Sequence, residues 1–141
     1  MFGQNNLKHM DCIFCKIAGK QIPNYTVYED KNALAFLDIH PCALGHTVVV
    51  PKKHYERLED MPADELALLI GAVQKAVKKL SEKLKPAGFN VGLNNGPEAG
   101  QAVPHLHWHI LPRYSGDGGG SMHSIVRNPG DKKAEEVFKM L

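Results

Sequence analysis

The 141-residue chain is expected to fold as α+β: an antiparallel five-stranded sheet with one long helix and short terminal helices. Three features carry that expectation. Apolar and β-branched runs are joined by turn signals, one stretch keeps helical periodicity over several turns, and strands and helices do not alternate in the regular way that asks for a parallel sheet.

The elements follow in order. Residues 1–9 are polar, and Met10-Asp11-Cys12 makes the more natural start, so a single domain is placed at 10–141 behind a flexible leader or cloning remnant. Cys12 to Gly19 reads as a short helix with Ile13, Phe14 and Ile17 on one face, closed by the glycine. Tyr25–Glu29 and Ala33–Leu37 flank the turn-like Asp30-Lys31-Asn32, a hairpin signal. Pro41 and Gly45 break the chain before Thr47–Pro51, a β-branched run that reads as a central strand ended by proline. Pro62, with Asp64 and Glu65, opens the long helix over 62–85, whose Leu66, Leu69, Ile70, Val73, Val77, Leu80 and Leu84 keep helical spacing. Phe89–Leu93 is a strand, Asn94–Gln101 a glycine-rich loop, Val103–Pro112 a last strand and Asp131–Met140 a terminal helix.

Composition narrows the function classes. Seventeen Lys and Arg against fifteen Asp and Glu leave a formal charge of +2, and the basic residues are dispersed, which argues against a nucleic-acid groove. No apolar run reaches the length of a membrane span and no signal-peptide pattern opens the chain, so a cytoplasmic protein without a membrane partner is expected. Three cysteines, two of them in a C-x-x-C, argue against a disulfide scaffold and for reduced thiols or a metal.

The most informative segment is His105-Leu106-His107-Trp108-His109-Ile110-Leu111. On a strand, a period of two puts all three imidazoles on one face. Residues two apart stand about 6.6 Å apart and the outer pair about 13 Å, so one tetrahedral metal can take neighbouring rings but not comfortably all three. At least one histidine is then left for another task, such as nucleophile or acid.

That pattern resembles the signature of the histidine triad (HIT) family of nucleotide hydrolases and transferases. The resemblance extends from Cys12–Ile17 through Ala35–Asp38 and Gly45–His54 to Gly96–Gln101 and the triad. It implies that His107 is the nucleophile, attacking the α-phosphorus of a nucleotide to give a nucleotidyl-histidine that water hydrolyses. It places His109 beside the phosphate and leaving group as acid or oxyanion donor, His46 as a fourth histidine supporting the triad, and Gln101 and Asn94 as polar phosphate-side contacts. Asp38 falls where the family binds the ribose hydroxyls, and Ile13, Phe14, Ile17, Phe36, Leu37 and Ile39 would wall the base, with a purine nucleotide as the substrate. The family also implies a homodimer that extends the sheet across a twofold axis.

A lone C-x-x-C supplies half of a tetrahedral zinc site. Family members that carry it bind a structural zinc with two histidines, which the resemblance places here at Cys12, Cys15, His54 and His105; no catalytic metal is expected. Two rival readings stand beside this one: a zinc lyase or hydrolase with catalytic metal on His105 and His107, and a nucleotide-binding regulatory module. Within the family, Gly96–Gln101 resembles the dinucleoside polyphosphate hydrolases, Ile13-Phe14 and Asp38 resemble the nucleoside phosphoramidases, and Ala102 stands where phosphoramidases usually carry a serine. The leaving group stays open between them.

Overall fold

The structure, a computed structural model, describes residues 11–141, so the leader lies outside the described residues. Helix α1 spans Ile13–Ala18, and the side chain of Cys12 caps it by accepting from the Cys15 N–H. Strands β1 (Thr26–Glu29) and β2 (Ala33–Leu37) form the expected hairpin, tightened where Asp30 accepts from the N–H groups of Asn32 and Ala33. β3 (Thr47–Pro51) is buried along its whole length, as its unbroken apolar run requires of a central strand. α2 covers Ala63–Leu84 and ends at Lys85 in the left-handed conformation before Pro86. β4 (Gly88–Gly92), β5 (Trp108–Arg113) and a short α3 (Ala134–Phe138) complete the chain.

The five strands lie in the order β1-β2-β3-β5-β4, all neighbours antiparallel. α2 packs on one face, where Leu69, Ala72, Val73, Ala76 and Leu80 meet Ala33, Ala35, Val49, Leu106 and Ile110. On the other face Leu34, Phe36, Val48 and Val50 form a second cluster under Ile17 and Phe14 of α1. Among the described residues no helix is long and apolar enough to cross a membrane.

Two expectations need correction. The histidine strand does not run over 103–112: β5 begins at Trp108, and residues 103–107 are irregular. Pro104 withholds a ladder N–H there, and the backbone bonds are local or go outside the sheet, His105 N–H to the Val103 carbonyl and Leu106 N–H to the Tyr55 carbonyl. Alternation survives all the same, because Leu106, Trp108 and Ile110 join the α2-side core. The terminal helix is shorter than 131–140 and stands entirely exposed, as does every residue from 115 onward. Trp108, between the two catalytic candidates, is the one described residue whose buried side-chain polar atom, the indole N–H, has no hydrogen-bond partner.

Candidate active site and metal centre

The three histidines stand on the face opposite α2 and separate into two groups. His105, fully buried, closes a cluster with the α1 cysteines and with His54, which follows β3. Its Nδ1 lies 3.4 Å from Cys12 Sγ, 3.5 Å from Cys15 Sγ and 3.1 Å from His54 Nδ1, and Cys15 Sγ is 3.3 Å from His54 Nδ1. An ion with ordinary Zn–S and Zn–N bond lengths in a tetrahedron would hold S···N pairs at about 3.5 Å and N···N pairs at about 3.3 Å. Four of the six donor pairs therefore have the spacing of a closed Cys2His2 site, and all four atoms lie within 4.8 Å of one another. His105 Nε2–H donates to the Pro51 carbonyl at 2.9 Å, which turns the Nδ1 lone pair toward the thiols, as an outer partner does for a metal-binding imidazole. Burial and the neighbouring Cys12 push the Cys15 thiol up to about 12, so the pair favours thiolates only if a cation shares the cluster.

His107 belongs to neither a metal group nor the solvent. Its Nδ1–H donates to the His105 carbonyl at 2.7 Å, which leaves the lone pair of the neutral ring on Nε2. Burial lowers its proton affinity below that of an ordinary histidine, against smaller opposing effects of that carbonyl and Asp38. The ring of Phe14 stands edge-on against His107 at 4.9 Å and against Phe36 at 5.8 Å.

The second group is a relay. Cys42 N–H donates to His46 Nδ1 at 3.1 Å, so neutral His46 carries its proton on Nε2. That nitrogen faces His109 Nδ1 at 2.9 Å, which in turn puts the proton of neutral His109 on its own Nε2. Desolvation, reinforced by His107 and His46, lowers His109 to about 4, and burial lowers His46 against the pull of Asp38. Asp38, His46 and His109 are close enough to hold a metal ion, but the proton that Cys42 places on His46 Nε2 occupies the ligand position, and the group reads as a hydrogen-bonded chain. Gly45, at φ +86°, makes the turn that sets His46 at the head of β3, and a Cβ there would collide with Leu84.

The other expected residues divide. Phe14 and Phe36 lie on the His107 side, Ile13 is half exposed, and Asp38 leaves β2 beside His46, its Oδ2 3.7 Å from His46 Nε2 while Oδ1 accepts from His40 N–H. Ile17 is buried in the core under α1, and Ile39 is largely exposed. Leu37 turns to the α2 face, because alternation along β2 sends it opposite Phe36, so its side chain is not part of this wall. The Gln101 amide is held within the loop: its Oε1 accepts from Gly96 N–H, and its Nε2 donates to the carbonyls of Glu56 and Val103. The rival site on His105 and His107 is not assembled, since His107 spends its Nδ1–H on a carbonyl while His105 faces the thiols.

A cleft of about 520 Å³ opens on the far side of His109, lined by His46, Asn94, Leu93, Leu111, Arg113 and Met122 among others. Of the expected nucleotide residues it takes only Asn94 and His109; the Phe14 wall lies elsewhere. Sequence reasoning overlooked it, although Arg113 and Asp117 carried a signal: that i,i+4 ion pair, with Arg113 also on Asn90, ties the chain after β5 over β4.

Comparison with known proteins agrees with this geometry. Residues 19–116 match the HIT domain family. The chain is 58% identical over 107 residues to an uncharacterised HIT-like protein of Methanocaldococcus jannaschii, covering 76% of this chain and 82% of that one. It is 40% identical over 109 residues to an adenosine 5'-monophosphoramidase of Candida albicans, covering 74% and 72%. A crystal structure of a HIT family member from Bacillus subtilis superposes with a TM-score of 0.80 at 40% identity, covering 92% of each chain. The antiparallel five-stranded sheet, the long helix and the matched domain together make this chain a member of the HIT family.

Proposed function

We propose that the protein hydrolyses nucleoside 5'-phosphate derivatives at the α-phosphorus through a nucleotidyl-His107 intermediate. The observation that carries the reading is the pair of assigned tautomers: His107 offers a lone pair on Nε2 while His109 offers a proton on Nε2, both kept neutral by burial. In the first step the His107 Nε2–phosphorus bond forms and the bond from phosphorus to the leaving group breaks, while His109 Nε2–H donates a hydrogen bond to the charge that develops on the phosphoryl and departing atoms and the leaving group takes its proton from solvent. In the second, water attacks phosphorus and gives up a proton to solvent as the phosphorus–nitrogen bond breaks, releasing the nucleoside monophosphate and neutral His107. Asp38 accepts from the ribose hydroxyls, and Ile13, Phe14 and Phe36 hold a purine base, as apolar walls suit a flat ring. Asn94 takes the phosphate side, while Gln101 acts by holding the glycine-rich loop.

The Cys12, Cys15, His54 and His105 cluster fits a structural zinc, which would tie α1 to the sheet and take no part in the reaction. The phosphoramidase activity named for the C. albicans relative supports a phosphorus–nitrogen bond as the target. A homodimer working in the cytoplasm completes the reading. The test is to quench turnover of adenosine 5'-phosphoramidate and search by mass spectrometry for one adenylyl group on the peptide containing His107. An adduct there is expected; turnover with no adduct, or an adduct on another residue, overturns the mechanism.

A further inference from the structure

The glycine-rich loop 94–101 carries no buried side chain: Gly96 is buried, and residues 97–100 stand exposed. Without an apolar anchor, its place is set by hydrogen bonds. Within the loop the N–H groups of Ala99 and Gln101 donate to the Gly96 carbonyl, and that of Gly100 to the Pro97 carbonyl. Among the described residues, the side-chain bonds that tie the loop to distant chain all run to residues 56–59. Gln101 Nε2 donates to the Glu56 carbonyl at 2.7 Å, Asn95 Oδ1 accepts from Leu58 N–H at 2.9 Å, and Asn95 Nδ2 donates to Glu59 Oε2 at 2.7 Å. The bond from Asn95 lowers the Glu59 carboxyl below its usual range, which keeps the acceptor ionised. Gly96, at φ +98°, lets Arg57 close in from the same segment, since a Cβ there would stand 3.5 Å from the guanidinium carbon.

Residues 54–59 thus form a bracket behind the loop. It starts at His54 of the Cys2His2 cluster, its Tyr55 carbonyl takes the N–H of Leu106 between His105 and His107, and its last residues take the loop. Asn94 and Asn95 are the same residue type in adjacent positions, and their contacts separate them. Asn94 lines the cleft with His109, its side-chain carbon 3.6 Å from where a Cβ on Gly100 would stand, whereas Asn95 is spent on the bracket.

We infer that Asn95 is the positioning residue of the phosphate-side loop: bonded to Leu58 and Glu59, it holds the loop where the neighbouring Asn94 can meet a bound phosphate. The phosphate rests on the proposed function; the bracket does not. Phe14, Phe36 and Asp38 belong to α1 and to β2 and its end, so binding of the nucleoside part should not follow the loop.

The experiment compares calorimetric affinities for AMP and adenosine, which differ by the phosphate, and follows amide exchange at Gly100 and Gln101 by NMR without nucleotide. In Asn95→Ala the AMP affinity should fall about tenfold, the scale of one hydrogen bond to a charged group, while that for adenosine changes by less than about twofold. Both amides should exchange about fivefold faster, as the loop loses its tie. Asn95→Asp sets a carboxylate against Glu59 and should show the same defects. Adding Glu59→Gln reverses the bond, the amide at 59 donating to the carboxylate at 95, and should recover most of the loss, measured against Glu59→Gln alone. An equal fall for AMP and adenosine, unchanged exchange in Asn95→Ala, or a double variant no better than Asn95→Asp would each overturn the positioning role. Absence of turnover with the AMP–adenosine difference intact would instead overturn the hydrolase reading and leave the role of Asn95 standing.

Discussion

His105 and His109 belong to one alternating run and end in opposite circumstances. His105 precedes the first residue of β5, is fully buried, and faces two thiols and another imidazole; His109 lies within β5 and faces His46. Alternation alone cannot tell them apart. What separates them is the chain opposite: α1 with its two cysteines at one end, the Gly45 turn at the other. His107 stands between and borrows from the first end, since the carbonyl that orients its ring is that of His105. A single run thus closes a Cys2His2 cluster at one end and carries the proposed nucleophile in the middle, and the division can be attacked at each point.

The largest effect is expected in the middle. His107→Asn should lower kcat by about 10⁴-fold or more, as removal of a nucleophile does elsewhere, while AMP affinity by calorimetry stays within a few-fold. Turnover near the wild-type level would place the nucleophile elsewhere. At the His105 end, the protein is expected to carry one zinc per chain, and Cys12→Ser should abolish it and lower Tm by more than about 10 °C, because the metal's binding energy is folding energy. Elemental analysis with calorimetry decides it: unchanged metal content and Tm in the variant would show that the four donors do not act as a site.

At the His109 end, His46→Ala should lower kcat by about 10²-fold with little change in KM, since it removes the donor that fixes the His109 proton on Nε2. His46→Gln, whose amide can still donate, should recover part of the loss. Equal defects in both would reduce His46 to packing. The smallest effect is on stability against pH. His46, His107 and His109 are all shifted down in the folded protein, so the unfolded chain binds more protons and stability rises with pH from about 4, where His109 titrates, to about 6.5, the ordinary histidine value. Acidification through that window should lower Tm, and His109→Asn should flatten the slope; an unchanged slope would mean that the ring is not held neutral.

Much of this was legible in the sequence. β2 and β3 fall on their expected residues because turn chemistry and a proline bound them, and α2 follows its apolar period to within a residue at each end. The four members of the cluster could be named only through the family resemblance, because His54 and His105 lie 51 positions apart and spacing says nothing about contacts made by tertiary folding. The onset of β5 was hidden for a related reason: alternation persists through 103–107, although the backbone bonds there go to Val103 and Tyr55. Gln101 was read by residue type as a phosphate contact, whereas its amide is taken up by three backbone groups that only the folded loop supplies. Nor could periodicity reveal the cleft, whose walls come from three separate stretches of chain, 42–46, 90–94 and 109–125.

Trp108 is the chain's single tryptophan, and its position gives the protein a built-in optical reporter. The indole sits between His107 and His109 in sequence but points into the α2-side core, with its N–H buried and unpaired. Emission from such a partly buried ring should be blue-shifted, less accessible to collisional quenchers than an exposed indole, and free of direct contact with anything bound on the histidine face. A change in fluorescence when a nucleotide binds would then report movement of the strand itself, and its absence would report a strand rigid enough to let chemistry proceed on one face while the other stays dark to it.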